Sequence, residues 1–390
     1  MESIIFQCSN EGLCMKGLII WSQSNCRSTM ALYRELIRNF NVPALITLWH
    51  FDKDCNNKDI REKVGFSHDE FSDLPIEPVG ADYKKARQII DSHRGWLHIF
   101  CVWQGSPLYQ RLIVEAKALG ERVGVACESP CNMASGWRKG AKSLYMKFAL
   151  PYMAKPIIKA ADFFVNYSGK DDSAARQLGW PKDKIIPFGY YPPPIIGSRC
   201  MKRESNSDFT ILATGILSRY RGADILIDAL QILKARKIPY RAIITQKGEL
   251  LEPLKAKAIQ YDLPVEFPGF VEMTELIRLY ETCSVYVGAG RSEPWGMRLN
   301  DALNCGAPLV VSRGMGGVSM VDEYGCGLAF SSGRAEELAD CLVSLATDIN
   351  LYRTCSANAI LASEKCSPSY KAGELYTTIK ERLLQHDPCR

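Results

Sequence analysis

Apolar residues enter this chain in short unbroken runs, separated by stretches with the three-to-four-residue spacing of amphipathic helices. Leu18-Ile19-Ile20-Trp21 opens the series, directly after Lys16-Gly17. A polar loop, 22–27, leads to Ser28, a natural N-cap, and to a helix expected to run to about Asn39. Further strands are predicted at 42–49, 96–103, 122–127 and 162–166. Helices are predicted at 82–92, 107–119 and 171–178, with a helical stretch rich in lysine and aromatics at 136–159. Strands apolar at every position are buried on both faces, and their alternation with helices predicts a parallel, doubly wound sheet. Residues 50–80 are polar, with few periodic apolar positions, and are expected to form a long loop or insertion. The proline-rich run 185–194 fits no helix and reads as a linker between domains.

A second pattern of the same kind starts at Phe209-Thr210-Ile211-Leu212-Ala213. It continues with helix 222–236, strand 240–245, helix 251–260, strand 265–267, helix 274–280 and strand 284–287. A helix ending at Gly306, strand 308–312, a helix around 335–347 and an amphipathic last helix at 369–384 complete it. The expected fold class is therefore α/β with two Rossmann-like domains, residues 1–194 and 195–368, followed by a C-terminal helix within 369–390. A length of 390 residues suits two domains of this size.

Composition narrows the function classes. The net charge of +5 carries no Lys/Arg run of the kind found in nucleic-acid-binding arms, so no nucleic-acid partner is expected. No window approaches the ~20 apolar residues of a membrane-spanning helix. The first residues lack a basic region followed by an apolar stretch, so no secretory signal is expected. The 15 cysteines are odd in number, scattered, and never spaced Cys-x-x-Cys. They read as reduced thiols used as small hydrophobes in a cytoplasmic protein.

Candidate chemistry concentrates between Gly288 and Pro308, a pattern of strand, loop, helix, Gly stop and strand. Glu293 falls in the loop at the carboxyl end of a strand, where open α/β sheets bind ligands. The backbone N–H groups of Gly296, Met297 and Arg298 begin a helix and suit a phosphate or sugar oxygen. Asp301 follows eight residues after Glu293, placed to accept bonds from sugar hydroxyls. Taken singly, each acid also fits a solvated surface position. The surroundings decide: Glu293-Pro294-Trp295-Gly296, then Asp301-Ala302, then Cys305-Gly306-Ala307-Pro308-Leu309-Val310-Val311.

This stretch resembles the retaining glycosyltransferases of family 4, which have the GT-B architecture of two Rossmann-like domains facing a central cleft. Their signature is Glu-x7-Glu in the setting Glu-Pro/Ser-Phe-Gly-x5-Glu-Ala-x-x-Cys-Gly-x-Pro-Val-Val. The resemblance is specific over 209–345 and weaker over 96–194. It implies that Glu293, Trp295 and the amides up to Arg298 hold the donor sugar, and that Asp301 occupies the ribose-binding position. Asp for Glu there is a departure that shortens the side chain by one methylene. The segment from Thr214 to Leu226 is similar to the family's Gly-Arg-Leu-x-x-x-Lys-Gly. Gly215 would let a ligand approach the backbone, and Arg221 matches the diphosphate-binding lysine. Ile216 stands where the family's other cation would be, and Arg219 is expected to supply that charge. Lys247-Gly248-Glu249 and Pro268-Gly269-Phe270-Val271 match two further cleft loops, the second beside the nucleobase. The loop Arg313–Val318 is expected to face the cleft too, or simply to need positive φ.

The N-terminal half offers fewer signals. The loop beginning at Ser22 lacks the Gly-Gly usual in the family. Trp96-Leu97-His98-Ile99-Phe100 aligns with the family's Val-x-His-x-His, so Phe100 replaces the histidine that lies near the reacting sugar, and His98 is expected to be structural. Ser22, Gln104 and Ser129 are candidates for the acceptor side, and Glu128 for orienting or deprotonating an acceptor hydroxyl. The basic, aromatic stretch 137–159 suits either an anionic membrane surface or packing on the sheet with a solvated lysine face.

The resemblance implies transfer of a sugar from a nucleoside diphosphate sugar to a glycan or lipid-linked acceptor, with retention, in bacterial surface polysaccharide or lipopolysaccharide assembly. Glu293 and Glu128 are the expected catalytic pair. Arg219, Arg221 and the amides near Gly296 would stabilise the departing diphosphate, with no obligatory metal and no other cofactor. The enzyme would be cytoplasmic, possible attachment being to the inner face of the plasma membrane. A nucleotide-sugar epimerase of similar shape and a catalytically silent nucleotide-sugar-binding scaffold are the competing readings. An oxidoreductase is disfavoured because no strand is followed by Gly-x-Gly-x-x-Gly.

Overall fold

The computed structural model describes residues 15–23, 26–49, 68–101, 106–129, 143–169, 172–194 and 209–385. In the first half, β1 (Leu18–Ser22), α1 (Arg27–Phe40), β2 (Ala44–Leu48), β3 (Ile76–Pro78), α2 (Tyr83–Ser92), β4 (Leu97–Phe100), α3 (Pro107–Ala118) and β5 (Arg122–Cys127) succeed one another. A π-helical turn, Tyr145–Ala149, then runs into α4 (Leu150–Ala160), followed by β6 (Phe163–Asn166), α5 (Ser173–Gln177) and β7 (Ile185–Pro187). The helix starts are locally encoded. Asp82 accepts a hydrogen bond from the Lys85 amide, and Ser106, ahead of Pro107, accepts one from the Tyr109 amide.

The second half contains β8 (Thr210–Ala213), α6 (Ala223–Ala235), β9 (Arg241–Thr245), α7 (Leu251–Gln260), β10 (Val265–Gly269), α8 (Met273–Thr282) and β11 (Val285–Gly288). There follow α9 (Arg298–Asn304), β12 (Leu309–Ser312), α10 (Val318–Tyr324), β13 (Gly327–Phe330), α11 (Ala335–Thr347), α12 (Ile349–Lys365) and α13 (Pro368–Gln385). All strand pairs are parallel. The sheets run β3-β2-β1-β4-β5-β6-β7 and β10-β9-β8-β11-β12-β13. Both orders reverse at one point, between β1 and β4 and between β8 and β11. Loops leaving the strands there diverge, which opens a crevice at the carboxyl ends.

Three details differ from the sequence expectation. The 50–80 stretch, expected as a loop, contributes β3 at the sheet edge; residues 50–67 lie outside the described ones. Three residues, Ile76-Glu77-Pro78, leave no period to read. Ile185-Ile186-Pro187, expected to open the linker, is instead the opposite edge strand, where a proline removes no ladder donor that a neighbour needs. Strand β13 and helix α12 were not anticipated, although Asp348 caps α12 by accepting from the Asn350 and Leu351 amides.

One apolar cluster runs through both domains. It includes Leu18 and Phe40, then Tyr191 beyond β7, Trp295, Leu309 beside the second cleft loop, and Ile379 of α13. Helix α13 packs along α1, with Tyr376 edge-on to Phe40 at 4.8 Å between ring centroids. Trp295 sits in a socket on the first domain: a Cβ at Gly189 would lie 2.2 Å from its ring, so only glycine fits there. The two crevices are thereby fixed opposite one another.

Candidate functional site

The second-domain crevice is built from the loops after β8 and β11. Its lining includes Thr214, Gly215, Ile216, Arg221, Gly290, Glu293, Gly296, Arg298 and Met315. The loops are tied together. Arg291 forms a two-pronged ion pair with Asp224 at 2.7 and 2.8 Å and also donates to the Arg219 carbonyl at 2.6 Å. The loop after β9 joins them, because the Leu217 amide donates to the Lys247 carbonyl at 3.0 Å. Gly215 has φ +126° with open space where a side chain would be. A ligand can therefore reach the backbone there.

Glu293 is held by its own backbone. Its amide donates to the Gly314 carbonyl at 2.8 Å and its carbonyl accepts from the Gly316 amide at 3.0 Å, a parallel bridge to the loop after β12. Its side chain is 9% exposed and ion-paired with Arg221. Burial raises the Glu293 carboxyl above its ordinary range, while Arg221 and Arg298 pull it back and the Glu128 charge adds a smaller push upward. Glu128, on the first-domain side, is thus near enough for its charge to be felt at Glu293. Asp301, one turn along α9 from Arg298, is pushed by burial up to about 7, against the opposing pull of Arg298 and of Arg27 in the first domain. At neutral pH it is poised between donor and acceptor of hydrogen bonds.

The first-domain crevice is a separate pocket of about 320 Å³ at the carboxyl ends of β1, β4 and β5, lined by Ser22, Cys26, Tyr33, Cys101, Glu128, Tyr190 and others. Glu128 accepts a hydrogen bond from the Tyr190 hydroxyl. Partial burial raises the Glu128 carboxyl above its ordinary range, which makes it a better proton acceptor, while the side chain stays open to solvent. His98 lies beneath this pocket rather than in it. It is fully buried in a stack with Trp21 and Phe100, accepts from Trp21 Nε1 at 3.2 Å, and is held neutral down to about 3 by burial.

Some expected residues stand elsewhere. Trp295 does not face the cavity: it is 2% exposed, packs on Gly189 and Tyr191, and donates from Nε1 to Asn300 at 3.1 Å. The turn's aromatic is consumed by the contact between domains. Arg219 is exposed and outside the cavity wall; its backbone, rather than its charge, serves the site. Ser129 is buried and donates to Asn166 at 2.9 Å, which commits it to the sheet. Ser22, by contrast, does line the first-domain pocket as expected, although it is largely buried with its hydroxyl 3.5 Å from that of Tyr33. Lys247, Gly269, Phe270 and Met297 are wholly or partly open to solvent and do not line the cavity; Lys247 Cε approaches the Gly269 side-chain position to 3.9 Å. Gln104 lies outside the described residues.

Thr214, Tyr280, Tyr286 and Tyr190 were missed. Thr214 hydrogen-bonds both Tyr280 (3.2 Å) and Tyr286 (3.0 Å). Their sequence signal is weak, since a tyrosine at the end of a helix or inside a strand reads as core. Among the described residues no group of three or more His, Cys, Asp or Glu side chains could hold a metal ion, and no helix is long and apolar enough to cross a membrane.

Two facing Rossmann-like domains with opposed crevices define a GT-B fold. Residues 201–361, which span most of the second domain, match the family of glycosyl transferases group 1. Mannosylfructose-phosphate synthase of Agrobacterium fabrum is 31% identical over 125 residues, 30% of this chain and 27% of that protein. The GDP-mannose-dependent alpha-(1-6)-phosphatidylinositol dimannoside mannosyltransferase of Mycobacterium tuberculosis is 35% identical over 100 residues, 25% of this chain and 26% of that protein. The match thus spans about a quarter of the length of these curated relatives. The structure of Anabaena HepE in complex with UDP superposes with a TM-score of 0.65 at 15% identity, covering 94% of this chain and 100% of that one. That likeness carries the fold alone.

Proposed function

We propose that this protein transfers a sugar from a nucleoside diphosphate sugar to a hydroxyl of a glycan or lipid-linked acceptor, with retention of anomeric configuration. The observation that carries this reading is a carboxylate on the wall of each crevice, Glu293 largely buried and paired with Arg221 in the second domain and Glu128 open to the first-domain pocket. The donor diphosphate enters beside Gly215 and draws Arg221 away from Glu293. The freed Glu293 carboxylate then accepts hydrogen bonds from the donor sugar. Arginine charge stabilises the leaving diphosphate without a metal. The acceptor hydroxyl comes from the first-domain pocket, where Glu128, oriented by Tyr190, takes its proton or passes it to the leaving oxygen on the same face of the sugar. Assembly of surface polysaccharide or lipopolysaccharide is the setting we propose.

The lipid-linked acceptor has its own support. Tyr152 is 75% exposed and Phe148 64%, with Leu144, Tyr145 and Met153 beside them and Lys147 and Lys155 packed on the aromatic rings. Aromatics flanked by lysines on an open face suit the interface of an anionic bilayer. A relative matched over a quarter of its length is named for a phosphatidylinositol acceptor.

The test is turnover against UDP-, GDP-, ADP- and dTDP-sugars, with NMR of the product anomer. Arg221→Met and Glu293→Gln should abolish donor cleavage. Glu128→Gln should retain donor binding and lose transfer. Inversion of a ring carbon without transfer would favour an epimerase, and binding without any turnover a silent scaffold. Unchanged turnover in both Arg221→Met and Glu293→Gln sinks the assignment.

A further inference from the structure

Four arginines surround the second-domain crevice, and three are accounted for. Arg221 is paired with Glu293, Arg291 is paired with Asp224, and Arg219 is exposed and outside the wall. The fourth, Arg298, lines the cavity from the first position of α9. It is mostly covered, with Tyr280 and Tyr286 beside it. Among the described residues no carboxylate lies within 4 Å of its guanidinium. Asp301 is the nearest acid along the helix, and burial favours that acid's neutral form. Arg298 is therefore a largely covered guanidinium with no carboxylate in ion-pair range, its charge supported by Tyr280, Tyr286 and the more distant Asp301, and it has donors left for an anion in the cavity.

The cavity has a matching deficit. Ile216, 62% exposed, points its apolar side chain from the β8 loop at the place where the resemblance sets a cation. Arg298 stands on the opposite wall, and the open space beside Gly215 lies in the same cavity. A hydroxyl cluster lies between them: Thr214, adjacent to Gly215, bonds Tyr280 and Tyr286, and both tyrosines stand beside Arg298. The tyrosines that flank the guanidinium are thus tied to the same loop that admits the ligand.

We infer that the Arg298 side chain contacts the phosphate oxygens of the donor, replacing from the β11–α9 wall the charge that Ile216 does not supply, with Tyr280 as the residue that positions it. This rests on the nucleoside-diphosphate reading of the crevice and adds a specificity-determining residue to it. Nucleotide recognition then depends on the phosphate through Arg298 even while Arg221 is engaged by Glu293.

The test compares UDP, UMP and uridine, with the guanosine series in parallel, by calorimetric and NMR titration of wild type, Arg298→Met, Arg298→Lys and Tyr280→Phe. Arg298→Met should weaken the diphosphate by about tenfold or more, the scale of one charge-assisted contact, and leave the nucleoside within about twofold. Arg298→Lys should recover part of the loss, and Tyr280→Phe should fall between wild type and Arg298→Met. An equal loss for nucleoside and diphosphate would mean that Arg298 only shapes the fold, and overturns the inference. Unchanged diphosphate affinity in a folded Arg298→Met protein overturns it as well. A wild type that binds none of these nucleotides defeats the nucleoside-diphosphate reading itself and the inference with it. A wild type that binds them normally, with Arg298→Met unaffected, defeats the inference alone.

Discussion

Trp295 separates what the motif implies from what the fold does with it. Truncation to alanine removes a ring that is 2% exposed, seats on Gly189, meets Tyr191 at 5.2 Å and 70°, and donates to Asn300. A buried indole takes on the order of 200 Å² out of water, worth about 5 kcal/mol at ~25 cal per Å². Large-to-small truncations measure about 3–5 kcal/mol because the hole partly collapses. We therefore expect Trp295→Ala to lose about 4 kcal/mol. Since Gly189 and Tyr191 belong to the first domain, that loss falls on the coupling of the domains, and urea unfolding should separate into two transitions. Trp295→Phe keeps most of the ring but leaves the buried Asn300 oxygen without its donor, a loss of about 1–3 kcal/mol. UDP and GDP affinity, read by calorimetry at a urea-free temperature well below the first transition, should change less than about fivefold, which is about 1 kcal/mol. The opposite pattern refutes the reasoning: a wild-type unfolding curve combined with lost nucleotide affinity would put the indole on the donor, where the sequence motif alone had set it.

The other predictions are narrower. Burial pushes the Asp301 carboxyl up to about 7. A carboxyl raised in the folded state gives stability that is complete below about pH 4 and lost as pH climbs to about 7. Asp301→Asn should therefore match wild type in urea near pH 4 and exceed it at pH 8, by at most about 4 kcal/mol for a gap of about three pH units; a difference that does not vary with pH refutes the assignment. His98→Phe should keep turnover within about twofold while costing about 1–3 kcal/mol for the orphaned Trp21 donor; a folded variant without turnover would return His98 to the chemistry. Phe148→Ser with Tyr152→Ser should abolish binding to vesicles containing phosphatidylglycerol without altering nucleotide affinity; unchanged flotation removes the membrane face from the proposal.

Much of this fold was legible in the chain because a doubly wound sheet buries its strands on both faces, which leaves runs such as Leu18–Trp21 and Leu309–Val311 without polar interruption. What escaped was short, marginal or tertiary. β3 and β7 are three residues each and lie at sheet edges, where one face or one ladder suffices. The site divides the same way. Glu293, Gly215 and Arg221 sit in loops whose position after a strand is written in the local pattern, and they do line one crevice. Trp295, Ser129 and Arg219 were misjudged because local pattern cannot say which way a side chain turns once a second domain arrives. The indole left the cleft for Gly189, the serine for Asn166, and the guanidinium for solvent.

The departures at Phe100 and Ile216 look, one at a time, like decay toward a silent scaffold. In the structure a neighbouring element offers another polar group to each crevice. Phe100 is buried in a stack with Trp21 and Tyr109, and the open pocket beside it holds Glu128 with Tyr190 instead. Ile216 is answered by Arg298 across the crevice. A scaffold that merely kept its shape would gain stability by neutralising Glu293 and Asp301, because burial penalises both carboxylates. Buried carboxylates kept at the switch point of a sheet are costly to fold and productive only when a substrate lies against them. That energetic argument, independent of any motif, supports the transferase proposed above over the silent scaffold.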